Sequence, residues 1–188
     1  MIINPRGPSG SGKTVLMRRF VDECGFKLIR EVHVEGRRQP LFYEYEHPAL
    51  DRPVFLLGHY NTPCAGADTI NNFGTLFDLI EEKNREGHVL VEGLLMSVEC
   101  NRMLKIVEAG ADLRAFLINI PLQECLDSIM LRRRAKNPDA PMVNPKNTTG
   151  KHRLSIRYAD KLEEGGATVF RGNRDECFDA MKAALFDA

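Results

Sequence analysis

Long apolar runs are missing from these 188 residues. No stretch approaches the ~20 residues that a membrane-spanning helix needs, which argues against an integral membrane protein. The chain opens MIINPRG, without a basic region leading into an apolar one, so no secretory signal is expected and the cytoplasm is the expected compartment. The cysteines Cys24, Cys64, Cys100, Cys125 and Cys177 form no C-x-x-C pair, which predicts reduced thiols rather than disulfides or a zinc site. Repeats and linkers are absent too, and the length suits one α/β domain over 1–188.

Net charge is also absent, with 26 Lys and Arg balanced by 26 Asp and Glu. That balance alone gives no sign of nucleic-acid binding, but the charge is unevenly spread. From Leu131 to Arg157 the basic residues Arg132, Arg133, Arg134, Lys136, Lys146, Lys151, Arg153 and Arg157 are opposed only by Asp139. This segment is expected to attract phosphate.

What is present alternates between short apolar runs and helical patterns. Strands are expected at 2–4, 53–60, 88–93, 114–120 and 167–172. Helices are expected at 14–23, 75–86, 97–110, 121–136 and 174–186. The runs KLIREVHV and LFYEYEH flank EGRRQP and predict a β-hairpin at about 27–47, inserted beside the main sheet. The segment NPDAPMVNPKNTTG, 137–150, lacks periodicity and reads as a mobile loop within a basic lid at about 132–152. Such alternation predicts a three-layer α/β fold with a parallel central sheet and ligands at the carboxyl ends of its strands.

The sharpest motif sits just after the first strand. Gly7, Pro8, Ser9, Gly10, Ser11, Gly12, Lys13 and Thr14 read GPSGSGKT and satisfy G-x-x-x-x-G-K-[ST], the P-loop. Its amides wrap phosphates, its lysine reaches the β- and γ-phosphates and its hydroxyl binds Mg²⁺. This points to a nucleotide-dependent phosphotransferase with ATP and Mg²⁺ as cofactors. Glu92, followed by Gly93, falls at a strand's carboxyl end, where a carboxylate can hold Mg²⁺ or orient the nucleophile. Asp68 in GHYNTPCAGADT is placed to take the acceptor's proton, or equally to cap a helix. His59 and Tyr60 either line the acceptor pocket or pack in a half-buried wall. Arg132, Arg133 and Arg134 precede the lid as if to clamp a phosphoryl group, although three consecutive helical residues cannot share one face. Asn173 follows the last strand and borders the nucleobase by position.

Together GPSGSGKT, GHYNTPCAGADTI, VLVEGLL, PLQECLDSIMLRRRAK and VNPKNTTGKHR resemble bacteriophage P-loop kinases that phosphorylate 5-hydroxymethyldeoxyuridine in DNA, a thymidylate-kinase-like group. The resemblance covers most of the chain. It implies transfer of the ATP γ-phosphate to a base hydroxymethyl oxygen in double-stranded DNA, a step toward hypermodified thymidines that shield phage genomes from host nucleases. By their motifs and positions Lys13, Asp68, Glu92 and Arg132 to Arg134 are expected to be catalytic, and His59, Tyr60, Asp68 and Lys146 substrate-binding. A base must leave its stack to be reached, and the basic 131–157 segment suits the duplex. Two other readings stay open: a deoxynucleoside monophosphate kinase acting on free nucleotides, and an ATP-binding module without catalysis.

Overall fold

A computed structural model describes residues 1–62, 65–94 and 96–187. The chain begins with β1 (Ile2–Arg6) and α1 (Lys13–Glu23), then β2 (Lys27–Val32), β3 (Phe42–Glu46) and β4 (Val54–Leu57). It continues with α2 (Phe73–Glu86), β5 (His88–Leu90), α3 (Ser97–Glu108), β6 (Leu113–Ile118) and α4 (Leu122–Lys136). It closes with α5 (Pro145–Glu164), β7 (Thr168–Gly172) and α6 (Arg174–Phe186). The seven strands form one sheet in the order β2-β3-β4-β5-β1-β6-β7. From β4 to β7 all neighbours are parallel, as crossover helices require.

Period-two alternation builds the three layers. Ile2, Phe55, Leu57, Val89 and Leu113 face a core filled by Leu76, Phe77, Ile80, Met103 and Leu162. Their strand neighbours Ile3, Val54, Leu56, Leu90 and Phe116 face the other core, with Leu16, Phe20, Phe178 and Met181. Burying each such side chain stabilises the fold by roughly 1.5–3 kcal/mol. Cys24, Cys100, Cys125 and Cys177 are buried free thiols, and Cys64 lies outside the described residues. Among the described residues no helix is long and apolar enough to cross a membrane.

Three expectations are corrected. The hairpin does not sit beside the sheet: β3 pairs antiparallel with β4, so β2 and β3 extend the same sheet at its edge. The expected loop at 137–150 ends early, because Asn144 caps α5 by accepting from the Lys146 amide at 3.0 Å, and Pro145 takes the first helical position. The Asn-Pro pair inside that segment starts a helix, asparagine as its cap and proline in its first turn. The first strand runs past Asn4 to Arg6, although Pro5 has no amide to offer. The Pro5 carbonyl still accepts, from the Gly93 amide at 2.9 Å, and that of Ile3 from Val91 at 3.0 Å.

The end of β1 is held by a buried ion pair that composition does not announce. Arg6 meets Glu99 of α3 through Nη1–Oε1 at 2.7 Å and Nη2–Oε2 at 2.8 Å. The same guanidinium donates to Asn4 Oδ1 at 2.8 Å and the Leu94 carbonyl at 3.2 Å, and Asn4 Nδ2 reaches the Val91 carbonyl at 2.8 Å. Removing one partner leaves a buried charge alone, so Glu99→Gln is expected to cost about 3–5 kcal/mol. Urea unfolding measures the loss, and a paired Arg6→Met, Glu99→Leu variant should recover part of it.

Candidate active site

The central strand delivers Gly7 into a loop that only glycine can trace. Gly10 adopts φ +84°, and a Cβ there would collide with the Cys125 carbonyl of α4. Gly12, at φ +94°, is the N-cap of α1 with no side-chain cap. The first amides of α1 therefore stay available at the positive end of the helix dipole, as an anion site requires. Lys13 Nζ donates to the Gly7 carbonyl at 2.9 Å. Burial lowers its pKa, while Glu92 and Asp68 pull the other way.

Glu92 stands two residues beyond the regular part of β5, held there by the Val91 and Gly93 amides bonded to β1. Its side chain is 5% exposed and accepts from Thr14 Oγ1 at 3.1 Å through Oε2. The Tyr60 hydroxyl is its neighbour, yet that hydroxyl and Glu92 Oε1 make no well-aligned hydrogen bond. Burial raises the Glu92 pKa to about 7 against the lowering effects of Lys13, Thr14 and Tyr60. A buried carboxylate oxygen without a donor, beside a threonine hydroxyl and a glycine-lined cradle, fits a hydrated divalent cation on a polyphosphate.

A cleft of about 500 Å³ joins these parts. Besides the glycine loop it is lined by Arg18, Ala65, Asp68, Glu92, Arg132 and Arg174. Asp68 is exposed on a 3₁₀ turn, Ala67–Thr69, whose N-cap is Gly66. The cap of α2 is Asn72, so the capping alternative for Asp68 does not hold.

Other expected residues fall elsewhere. Tyr60 is buried with its hydroxyl beside Glu92, not an exposed ring for stacking. His59 lines a separate cavity beyond the turn. Of Arg132, Arg133 and Arg134, only Arg132 lines the cleft. Arg133 lines a neighbouring cavity and Arg134 is exposed on another face of α4, because successive helical residues diverge by about 100°. Lys146 is exposed in the first turn of α5 and is not among the residues lining the cleft; Lys151 reaches the loop instead, 3.4 Å from Ser9 Oγ. Asn173 caps α6 in a capping box with Glu176, which occupies its side-chain oxygen. It lines a smaller cavity with Asn119 and Arg174.

Two cleft arginines were missed. Arg18 sits one helical turn after Thr14, a spacing that shares a face, and donates to the Tyr60 and Thr62 carbonyls, tying α1 to the loop after β4. Arg174 follows β7 and donates to the Ser11 carbonyl at 2.8 Å. Position after a strand's carboxyl end was the available signal for it.

A phosphate-binding loop closing a central parallel strand, with a buried carboxylate against its threonine, defines a kinase of the P-loop class. No family model matches the sequence. A protein named 5-hmdU DNA kinase from Pseudomonas phage PaMx11 is 45% identical over 185 residues, spanning 98% of this chain and 96% of that one. Proteins of the same name from Delftia phage PhiW-14 and Pseudomonas phage M6 are 25% and 26% identical, over 93% and 97% of this chain and 68% and 96% of theirs. The chain belongs to the 5-hmdU DNA kinase family. Among solved structures, deoxyadenosine kinase from M. mycoides aligns over 100% of both chains with a TM-score of 0.50 and 11% identity, a likeness of fold.

The Glu92 carboxyl makes stability depend on pH. Its pKa is about 7 folded against 4.5 ordinarily, so the folded state favours the protonated form. That contribution is complete below pH 4.5 and is lost as pH rises through about 7. In metal-free protein, Glu92→Gln should therefore gain on the parent by up to about 3 kcal/mol between about pH 4 and about pH 8. A stability difference between the two that stays flat across urea titrations over that range would refute the shift.

Proposed function

We propose that this kinase transfers the γ-phosphate of ATP to the hydroxymethyl oxygen of 5-hydroxymethyldeoxyuridine in DNA, in the cytoplasm of an infected host. The observation that carries this reading is the cleft in which the glycine loop, Glu92 and Asp68 meet, in a chain 45% identical to a 5-hmdU DNA kinase.

Each role follows from placement. The loop amides and Lys13 bind the β- and γ-phosphates, holding donor and acceptor in line so that little covalent work falls to the protein. Thr14 and Glu92 are the protein ligands suited to Mg²⁺, which when bound supplies positive charge against the phosphates. Asp68, exposed in the cleft and facing Lys13 electrostatically, accepts the proton of the hydroxymethyl group as its oxygen attacks phosphorus and the bond to ADP breaks. Arg132 contributes a guanidinium to the transferring phosphoryl group, whose spread charge a planar donor matches. Arg18 holds the acceptor-side loop against α1 and keeps Tyr60 packed beneath Glu92.

Incubation with γ-labelled ATP and a choice of hydroxymethyluracil-containing duplex or free deoxynucleotides is expected to label the DNA. Label confined to mononucleotides would replace the acceptor in this reading, and no transfer to any acceptor would leave an ATP-binding module. Asp68→Asn is expected to keep ATP binding and lose about 10²–10⁴-fold in transfer rate; near-parental turnover would remove Asp68 as the base.

A further inference from the structure

The edge hairpin is not explained by the core. In β2, Lys27 through Glu31 are exposed and only Val32 is half-buried. Ordering such a strand costs roughly 1–2 kcal/mol of backbone entropy per residue, with limited apolar burial in return, since Leu28 and Ile29 are each 46% exposed. Its ion pairs, Lys27–Glu46 and Arg30–Glu44, are solvated and contribute little. What the hairpin does is carry a tip.

At that tip Arg37, Arg38 and Gln39 meet His59, Thr69 and Asn71 around a shallow cavity of about 450 Å³. Arg37 is fixed in place, donating from Nε to the Gln39 carbonyl at 2.9 Å and from Nη2 to Thr69 Oγ1 at 3.3 Å. Thr69 also accepts from the His59 amide at 3.2 Å and donates to the Gly66 carbonyl at 2.7 Å. The tip is thereby bolted to the 3₁₀ turn that bears Asp68. Asp68 lines the catalytic cleft and Thr69 lines the tip cavity, so the two spaces share one wall.

The chemistry of this cavity is that of an anion site with polar neighbours. Arg38 is exposed and forms no ion pair among the described residues; Glu35 is the acid on the rim. His59 is 8% exposed with its Nδ1 lacking a hydrogen-bond partner. Burial, Arg37 and Arg18 hold its pKa below the ordinary value, so at neutral pH it is an uncharged donor and acceptor.

We propose that the hairpin tip grips the DNA backbone beside the acceptor nucleotide, with Arg38 and Arg37 on a flanking phosphate. This rests on the DNA acceptor proposed above. A free nucleotide ends within the cleft, whereas a polymer must continue past the wall at 66–69, and the tip cavity lies on the far side of that wall. The basic segment in which Arg132 lines the cleft supplies further positive charge for the strand.

The test is Arg38→Glu in the full chain, with affinity for a hydroxymethyluracil-containing duplex read by fluorescence anisotropy across a salt series. The dissociation constant is expected to rise about tenfold, and the slope of log affinity against log salt to fall by about 0.9 for the lost phosphate contact. ATP-analogue affinity should be unchanged, showing an intact fold, and Arg38→Ala should move the same way by less. Parental affinity and slope in Arg38→Glu, or a parent protein with no measurable DNA affinity, would overturn the tip. DNA binding that depends on Arg38 in a protein that transfers no phosphate to DNA would sink the acceptor and leave the tip standing.

Discussion

The Arg6–Glu99 pair is the constraint on which the site's geometry rests. Two charges taken out of water cost several kcal/mol each unless every donor finds a partner, and this pair is 0% and 1% exposed. Its bidentate geometry, with Asn4 and the Leu94 carbonyl as further partners, nearly completes the set; Arg6 Nε alone goes without. The consequence is positional. The guanidinium ties the last residue of β1 to α3 and to the segment beyond β5, so the glycine loop and Glu92 leave the sheet from adjacent strands at a fixed separation. Gly93 belongs to the same device, since a Cβ there would lie 2.8 Å from Arg6 Cγ.

Within that frame the electrostatics are set by burial acting against pairing. Glu92 is pushed up to about 7 although Lys13 is close, and Lys13 is pushed down although Glu92 and Asp68 are close. In both cases desolvation exceeds the attraction between the opposite charges. A site in this condition binds a ligand that brings its own charge of both signs better than one that brings a single sign, and a polyphosphate with its divalent cation is such a ligand. Arg18, meanwhile, is committed to the Tyr60 and Thr62 carbonyls.

Sequence and structure agree where the determinants are local. GPSGSGKT is legible because strand, turn and helix dipole act within a few residues, and the alternation Val54–Phe55–Leu56–Leu57 shows its two buried faces directly. Glu92 and Asp68 were legible by their places after strands. The pairing of Arg6 with a residue 93 positions away was not: an arginine between proline and glycine reads as a solvated loop residue until the sheet brings α3 over it. Lys146 and Lys151 look alike in a basic run, and only the helix that starts at Pro145 decides that Lys151 faces Ser9. Asn173 illustrates the converse, a position after a strand whose side chain is consumed in starting the next helix.

The placement of the hairpin bears on how one kinase core accepts different acceptors. Strands β4, β5, β1, β6 and β7 and their helices supply most of both cores, and β2 adds little to them, since its residues are exposed but for Val32, which is half-buried. β3 differs: Phe42 and Tyr43 are buried, one in each core, so the second strand of the hairpin anchors what the first strand and the tip project. An element built this way is rigid at its base and free in composition at its end. Variation at residues 33–39, short of buried Pro40 and Leu41, can then alter the tip cavity without disturbing the glycine loop, Glu92 or the Arg6–Glu99 pair that positions them. The glycine loop and the hairpin tip are thus structurally separate parts of the chain, and they approach each other at the turn where Thr69 holds Arg37 and the next residue back, Asp68, enters the cleft.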